Sequence, residues 1–417
     1  MSDPIDKILD AVEAGESIIK NREILKLDYI PKTIQYRDPE LEKVTQSLSP
    51  ILKQSRPSNL LLYGEPGTGK TLVIKKVIKK IKEKVIKSNF PINVAYTNSK
   101  NETAIYGLIV SLGRQLGFSE KELPTTGLAI SEVFKRILKK INEEKLNIIF
   151  VIDEIDHLAK QAQKTGNDIL YQLTRANERL EQGSLTLVGI SNDLTFRDYL
   201  DPRVISSLGE EEIVFTNYTP EQITTILKDR IKDAFIENSV EKPALDLCAG
   251  LAGGEHGDAR RAIDLLLKAG EIADRRQLKK VTDKHVREAY ENIEERAVKT
   301  ALKAYPIHKK LIILAIIRSK NFSTGEIYLI YKNLCKAIGR DELSNRRITQ
   351  MLSNIEEFGL ISGRIVNQGS HGSTKKYELK ITSEIIKKAF EESKDSSTLK
   401  DIIWIWIIIL MEDLESL

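Results

Sequence analysis

The chain has 417 residues, 41% of them hydrophobic, enough for two or three domains with real cores, which excludes a disordered or low-complexity polypeptide. Its 64 Lys and Arg against 60 Asp and Glu leave a net charge of only +4, so any nucleic-acid surface must be local. Cys248 and Cys335 stand alone and far apart, which supports neither a disulfide framework nor a zinc site and fits a reducing cytoplasm.

A lead segment runs to about residue 37. Its start, Met1-Ser2-Asp3-Pro4, is polar and acidic, unlike a signal peptide. Arg37-Asp38-Pro39-Glu40 predicts a helix with Asp38 as N-cap and Pro39 in the first turn, running to about Lys53. Strands are predicted at 59–63, 92–97, 148–152, 185–190 and 212–215. Helical segments separate most of them, the pattern of an α/β domain with a wound parallel sheet.

Between the first strand and the periodic segment Leu72–Ile86 lies Gly64-Glu65-Pro66-Gly67-Thr68-Gly69-Lys70-Thr71, a complete phosphate loop. Its glycines let backbone N–H groups curl around a phosphate chain, and the helix N-terminus adds partial positive charge. Lys70 is placed to reach the β- and γ-phosphates of a nucleotide, and the Thr71 hydroxyl to bind Mg²⁺. The many lysines from Lys75 to Lys87 read as the solvated face of that helix.

The apolar run 148–152 reads as a strand buried on both faces and ends in Asp153-Glu154. Carboxylates at the C-terminal end of such a strand lie where open α/β sheets bind ligands. Asp153 is the candidate for the Mg²⁺ shell, Glu154 for orienting the attacking water, and Asp156 for capping the next helix. The strand 185–190 ends near Asn192. In nucleotide hydrolases with an Asp-Glu pair such a strand lies between the other two, which aims Asn192 at the γ-phosphate and its water. Arg203, in Asp201-Pro202-Arg203, is either a finger presented to a neighbouring subunit's nucleotide or a surface arginine in a salt bridge.

After about 216 the pattern is helical. Thr219-Pro220-Glu221-Gln222 is a capping box, and helices are predicted near 220–235, 243–252, 258–274 and 283–298. Gly257-Asp258-Ala259-Arg260-Arg261 opens the third, with Arg260 the candidate to reach back to the γ-phosphate and Arg261 structural. From about 306 the pattern is that of a winged helix-turn-helix. Ser323-Thr324-Gly325-Glu326 caps its second helix, Ser344 the third, and Gly359 ends the third. In that helix Ile348, Leu352 and Ile355 share the inner face, while Arg346, Thr349, Gln350 and Ser353 face outward. Strands at 360–366 and 375–379 around the turn 368–372 form the wing. Arg346, Arg347 and Gln350 are candidates for a DNA groove, and Arg364, Lys375 and Lys376 for its backbone. The alternative is a protein-docking winged helix. The run Ile402–Met411 holds both tryptophans; its ten residues are half of the roughly 20 that a membrane helix needs, so no membrane partner is expected.

The series Gly64–Thr71, Asp153–Asp156, Asn192, Arg203 and Gly257–Arg261, followed by a winged helix, resembles the archaeal replication initiators. These AAA+ ATPases are related to the origin recognition complex and cell division control proteins. The resemblance implies an AAA+ parallel-sheet phosphate-loop domain, an all-α lid and a C-terminal winged helix-turn-helix domain, with divisions at 1–216, 217–300, 301–385 and a tail 386–417. It implies ATP or ADP with Mg²⁺ as cofactors, slow switch-like hydrolysis, and a nucleoid-associated cytoplasmic location. The implied partners are double-stranded origin DNA, the replicative helicase and other initiator paralogues. It also places the nucleotide base near Tyr29-Ile30-Pro31 and Arg37, and a DNA-gripping insertion within 101–130, around Pro124–Leu128. Two other readings stay open: a clamp-loader-like ATPase, and a winged-helix transcriptional regulator with a structural nucleotide.

Overall fold

The first four predicted strands of the sheet send apolar side chains alternately into two helical layers, whereas the last buries Ile213 and Phe215 on one side only. In this computed structural model, which describes residues 17–393 apart from 89, 103, 167, 256, 318–321, 368–372 and 382, the strands are β1 (Leu60–Tyr63), β2 (Ile92–Asn98), β3 (Asn147–Asp153), β4 (Ser184–Ser191) and β5 (Glu211–Val214). The apolar tail and the turn of the wing lie outside the described residues.

The five strands pair in parallel in the order β2-β3-β4-β1-β5, so β4 lies between the phosphate-loop strand and the Asp-Glu strand, as its sequence position predicts. On β3, Ile148, Phe150 and Ile152 enter one core while Ile149 and Val151 enter the other. That two-sided burial is why the strand is apolar throughout. Helices α1 (Asp38–Leu48) and α2 (Lys70–Ser88) cover one face. The other is covered by α3 (Ile105–Gln115), α4 (Ile130–Glu143), α5 (Ile155–Thr165), α6 (Ile169–Thr174) and α7 (Pro202–Leu208).

Two boundaries differ from expectation. Asp38 is already helical in α1, with Arg37 at the N-cap position and no side-chain cap bond. The helix stops at Leu48 and continues only as a 3-10 turn, Ser49–Lys53, because Pro50 brings no N–H to the helical ladder.

The lid consists of α8 (Pro220–Ala234), α9 (Lys242–Glu255) and α10 (Ala259–Arg275). The Thr219–Gln222 capping box forms in full, and Asp258 caps α10 by accepting from the N–H groups of Arg260 and Arg261. The lead segment lies against these helices, which its grouping with the strands does not anticipate. Ile18 N–H donates to Asp274 at 2.8 Å, Asn21 N–H to the Ala234 carbonyl at 3.1 Å, and Arg230 to the Ile24 carbonyl at 2.8 Å.

The chain divides into two compact units between Arg287 and Glu288, inside α11 (Asp283–Ala304). The second unit contains α12 (Ile307–Ile317), α13 (Thr324–Ala337), α14 (Asn345–Glu357) and α15 (Ser383–Glu391). A three-stranded antiparallel sheet joins them, from β6 (Phe322–Ser323), β7 (Ile361–Asn367) and β8 (Ser373–Leu379) in the order β6-β8-β7. Ser323 and Glu326 form their capping box, whereas Ser344 stands at the N-cap of α14 without a side-chain cap bond. Ile348, Leu352 and Ile355 are fully buried in this unit's core.

Candidate functional site

A cavity of about 480 Å³ opens at the C-terminal ends of the strands, between the sheet, the lead segment and the lid. Gly67, Gly69, Thr71, Asp153, Glu154, Asn192 and Arg260 all line it, so residues from Gly67 to Arg260 converge on one cleft.

The loop is shaped by its glycines: Gly67 and Gly69 hold φ of +75° and +94°, where a side chain is strained. Lys70, only 3% exposed, curls under the loop and donates to the carbonyls of Gly64 at 2.6 Å and Glu65 at 2.7 Å. Burial, with Arg260 nearby, lowers its ammonium to about 8. Thr68 donates to the Glu65 carbonyl at 2.8 Å and so braces the loop.

Asp153 is the hub of the cleft. Its Oδ2 accepts from the Thr71 hydroxyl at 2.9 Å and from the Tyr96 hydroxyl at 2.6 Å, and its Oδ1 from the Glu154 N–H at 3.0 Å. A hydroxyl and a carboxylate meeting beside a phosphate loop are hard oxygen donors of the kind Mg²⁺ takes when phosphates complete its shell. Among the described residues no group of three or more His, Cys, Asp or Glu forms a self-sufficient metal site. Glu154 holds a left-handed backbone, φ 54°, which carries a strain of about 1–3 kcal/mol in a non-glycine residue. Its buried Oε2 lies 2.5 Å from Lys100 Nζ, an ion pair without the angles of a hydrogen bond.

The expected helix cap at Asp156 does not form. Glu154 occupies the N-cap position of α5, and Asp156 instead accepts from the Ser191 hydroxyl at 3.1 Å and the Asn192 N–H at 3.4 Å. It therefore ties β4 to α5 beside Asn192. Of the two lid arginines, Arg260 lines the cleft. Arg203 does not; it makes a two-pronged bond to Asp201, at 3.0 and 2.8 Å, and lies over the Tyr171 ring. That bond holds the Asp201 carboxyl down at about 2.

Tyr29 and Pro31 line the cleft, but Ile30 and Arg37 do not. Arg37 is 3% exposed and donates to the carbonyls of Thr68 at 2.9 Å and Thr216 at 2.5 Å, pairs with Glu40 at 3.1 Å, and stacks on Tyr218. It braces the phosphate loop against the entrance of the lid. Lys75, expected on the solvated face of its helix, lines the cleft instead, together with Tyr96, Asn98 and Arg230. They carry no motif; only their place at strand ends or on facing helices brings them there.

In the second unit, Asn345, Arg346, Arg347, Thr349 and Gln350 are all exposed on α14. The wing cations are less free. Lys375 Nζ is 2.6 Å from Glu356 and Arg364 is 3.5 Å from Glu378. Lys376 is close enough to Glu326 to help keep that carboxyl low, after the Ser323 hydroxyl and N–H bonds.

Three family models match in sequence order: the AAA family of ATPases associated with various cellular activities at 60–218, the Cdc6 AAA+ ATPase-type lid domain at 224–291, and the CDC6 C-terminal winged helix domain at 300–389. An ORC1-type DNA replication protein of Cenarchaeum symbiosum is 59% identical over 401 residues, covering 96% of this chain and 97% of that protein. ORC1-type DNA replication protein 1 of Sulfurisphaera tokodaii is 40% identical over 401 residues, covering 95% and 98%. The solved structure of the Aeropyrum pernix ORC1 protein in complex with DNA is 37% identical with a TM-score of 0.79, covering 90% of this chain and 98% of that one.

Proposed function

The chain belongs to the ORC1/Cdc6-type family of DNA replication initiators, AAA+ proteins with a helical lid and a winged helix, and from that premise we propose that it binds origin duplex DNA under the control of a bound nucleotide. The observation that carries the reading is the meeting of Thr71, Asp153, Glu154, Asn192 and Arg260 on one cleft, joined in the same chain to the exposed polar face of α14. Gly64–Thr71 would cradle the phosphates of ATP or ADP, Thr71 and Asp153 would hold Mg²⁺, and Tyr29 would meet the base. Glu154 would orient the attacking water, Asn192 would hold it, and Arg260 would report the γ-phosphate to the lid. Hydrolysis would be slow and act as a switch, and the Lys100–Glu154 pair supports this by engaging the carboxylate that orients the water.

Arg203, two-thirds exposed on its side chain, would reach a neighbouring subunit's nucleotide after leaving Asp201. The DNA surfaces would be α14, the wing and the segment 101–130, with base domain, lid and winged helix bounded near 216, 300 and 385. The bound protein would recruit the replicative helicase, alone or with initiator paralogues, at the nucleoid. No described helix is long and apolar enough to cross a membrane.

Genome-wide footprinting of wild type and Glu154→Gln tests this. The variant should bind ATP, lose about 100-fold or more of its turnover, and occupy the same replication start zones. Sites spread over promoters would favour the transcriptional regulator, and preference for primer–template junctions the clamp loader. Unchanged turnover would remove Glu154 from the reaction. Mixed Arg203→Ala and Lys70→Ala subunits should regain some hydrolysis; stable mixed assemblies without it would leave Arg203 a surface residue.

A further inference from the structure

Tyr96 belongs to none of the motifs, yet it touches the central carboxylate of the cleft. It lies near the C-terminal end of β2, the edge strand of the sheet. Its hydroxyl donates to Asp153 Oδ2 at 2.6 Å, the same oxygen that accepts from Thr71 at 2.9 Å. Oδ1 is occupied by the Glu154 N–H at 3.0 Å. A carboxylate gripped from both oxygens has a fixed orientation, and bonds to an ionised acceptor are among the stronger hydrogen bonds.

Tyr96 is itself held on three sides. Its register partner Val151 of β3 flanks it within the sheet. Toward the open edge, where a strand leaves backbone groups unpaired, the Gln115 amide substitutes for a missing strand. The Tyr96 N–H donates to Gln115 Oε1 at 2.9 Å, and Gln115 Nε2 donates to the Tyr96 carbonyl at 2.8 Å. Over the ring lies Lys75 Nζ, 5.2 Å from its centre.

We infer that Tyr96 is a positioning residue for the metal carboxylate: its hydroxyl keeps Asp153 turned toward the phosphate-loop hydroxyl, and Gln115 keeps Tyr96 in place. This rests on the reading of Asp153 as a Mg²⁺ ligand. A partner that orients a metal ligand from outside the ligand set tunes metal affinity, and its loss lowers that affinity about tenfold or more.

The test uses the full chain saturated with ADP and Mn²⁺ as the metal probe, with bound Mn²⁺ read by electron paramagnetic resonance. Tyr96→Phe keeps the ring beneath Lys75 and removes only the hydroxyl. It should bind Mn²⁺ about tenfold more weakly, while its ADP affinity in excess EDTA equals wild type and its hydrolysis recovers at high Mg²⁺. Gln115→Ala should shift Mn²⁺ affinity the same way by less. Asp153→Ala is the reference. If it weakens Mn²⁺ binding and Tyr96→Phe does not, the inference is overturned and the reading of Asp153 stands. If neither variant weakens it, the metal reading of Asp153 falls and takes the inference with it. A loss of ADP affinity in EDTA equal to the loss of Mn²⁺ affinity would reduce Tyr96 to a structural support and also overturn it.

Discussion

Gly67 lies so close to Asp258 that a methyl group on it would stand 1.8 Å from the Asp258 Oδ1. The phosphate loop thus touches the carboxylate that caps the lid helix α10, with no side chain of the loop between them. Arg260, two residues past that cap, lines the cleft that the loop closes. A change at the phosphates therefore has a short mechanical route to the lid.

Gly67→Ala should damage both halves of that contact. The φ of +75° disfavours a side chain by about 1–2 kcal/mol, and displacing Asp258 removes a helix cap of about 1 kcal/mol. The expected loss is roughly 2–3 kcal/mol in denaturant unfolding of the nucleotide-free protein. ADP affinity should fall with it. Wild-type stability together with wild-type ADP affinity would show that the loop and the cap are not coupled.

The second unit carries a pH-dependent element of its own. His308 Nδ1 is 2.7 Å from the Tyr331 hydroxyl, whose oxygen also accepts the Leu343 N–H at 3.1 Å. Burial, then the charges of Arg340 and Arg347, hold the imidazole below its usual value of 6.5. The folded state therefore resists the proton. Its contribution to stability is complete above about 6.5 and is lost as pH falls from there through the folded pKa. Unfolding of the wild type should show this loss below pH 6.5, and His308→Gln should lack that component. Identical pH profiles would rule out His308 as its source.

On α14, Arg346→Ala should flatten the preference between origin and random duplex, since a base-reading arginine contributes about 1–3 kcal/mol of discrimination. Lys376→Ala should weaken both duplexes alike and lower the salt slope by about one unit. Lys375→Ala should do less, because its ammonium is already paired with Glu356, and Glu356→Ala should strengthen binding by releasing it. Affinities for both duplexes across a salt series decide this. If Arg346→Ala keeps full specificity, α14 is not the reading helix, and the segment 101–130 becomes the first place to look.

The sequence by itself determined the parts that rest on short-range physics. The phosphate loop, the two-faced run of β3, and the capping boxes Thr219–Gln222 and Ser323–Glu326 each depend on residues within a few positions of one another. The inner face of α14 was legible for the same reason, since helical periodicity alone aligns Ile348, Leu352 and Ile355. The tertiary structure decided the roles set by distant partners. Arg37 braces the loop because Thr216, 179 positions away, comes within reach of its guanidinium. Asp156 grips the end of β4 rather than capping its own helix, and Lys375 is paired across the wing with Glu356. Tyr96 meets Asp153 across 57 positions only because β2 pairs with β3 in register, an alignment fixed by the packed sheet.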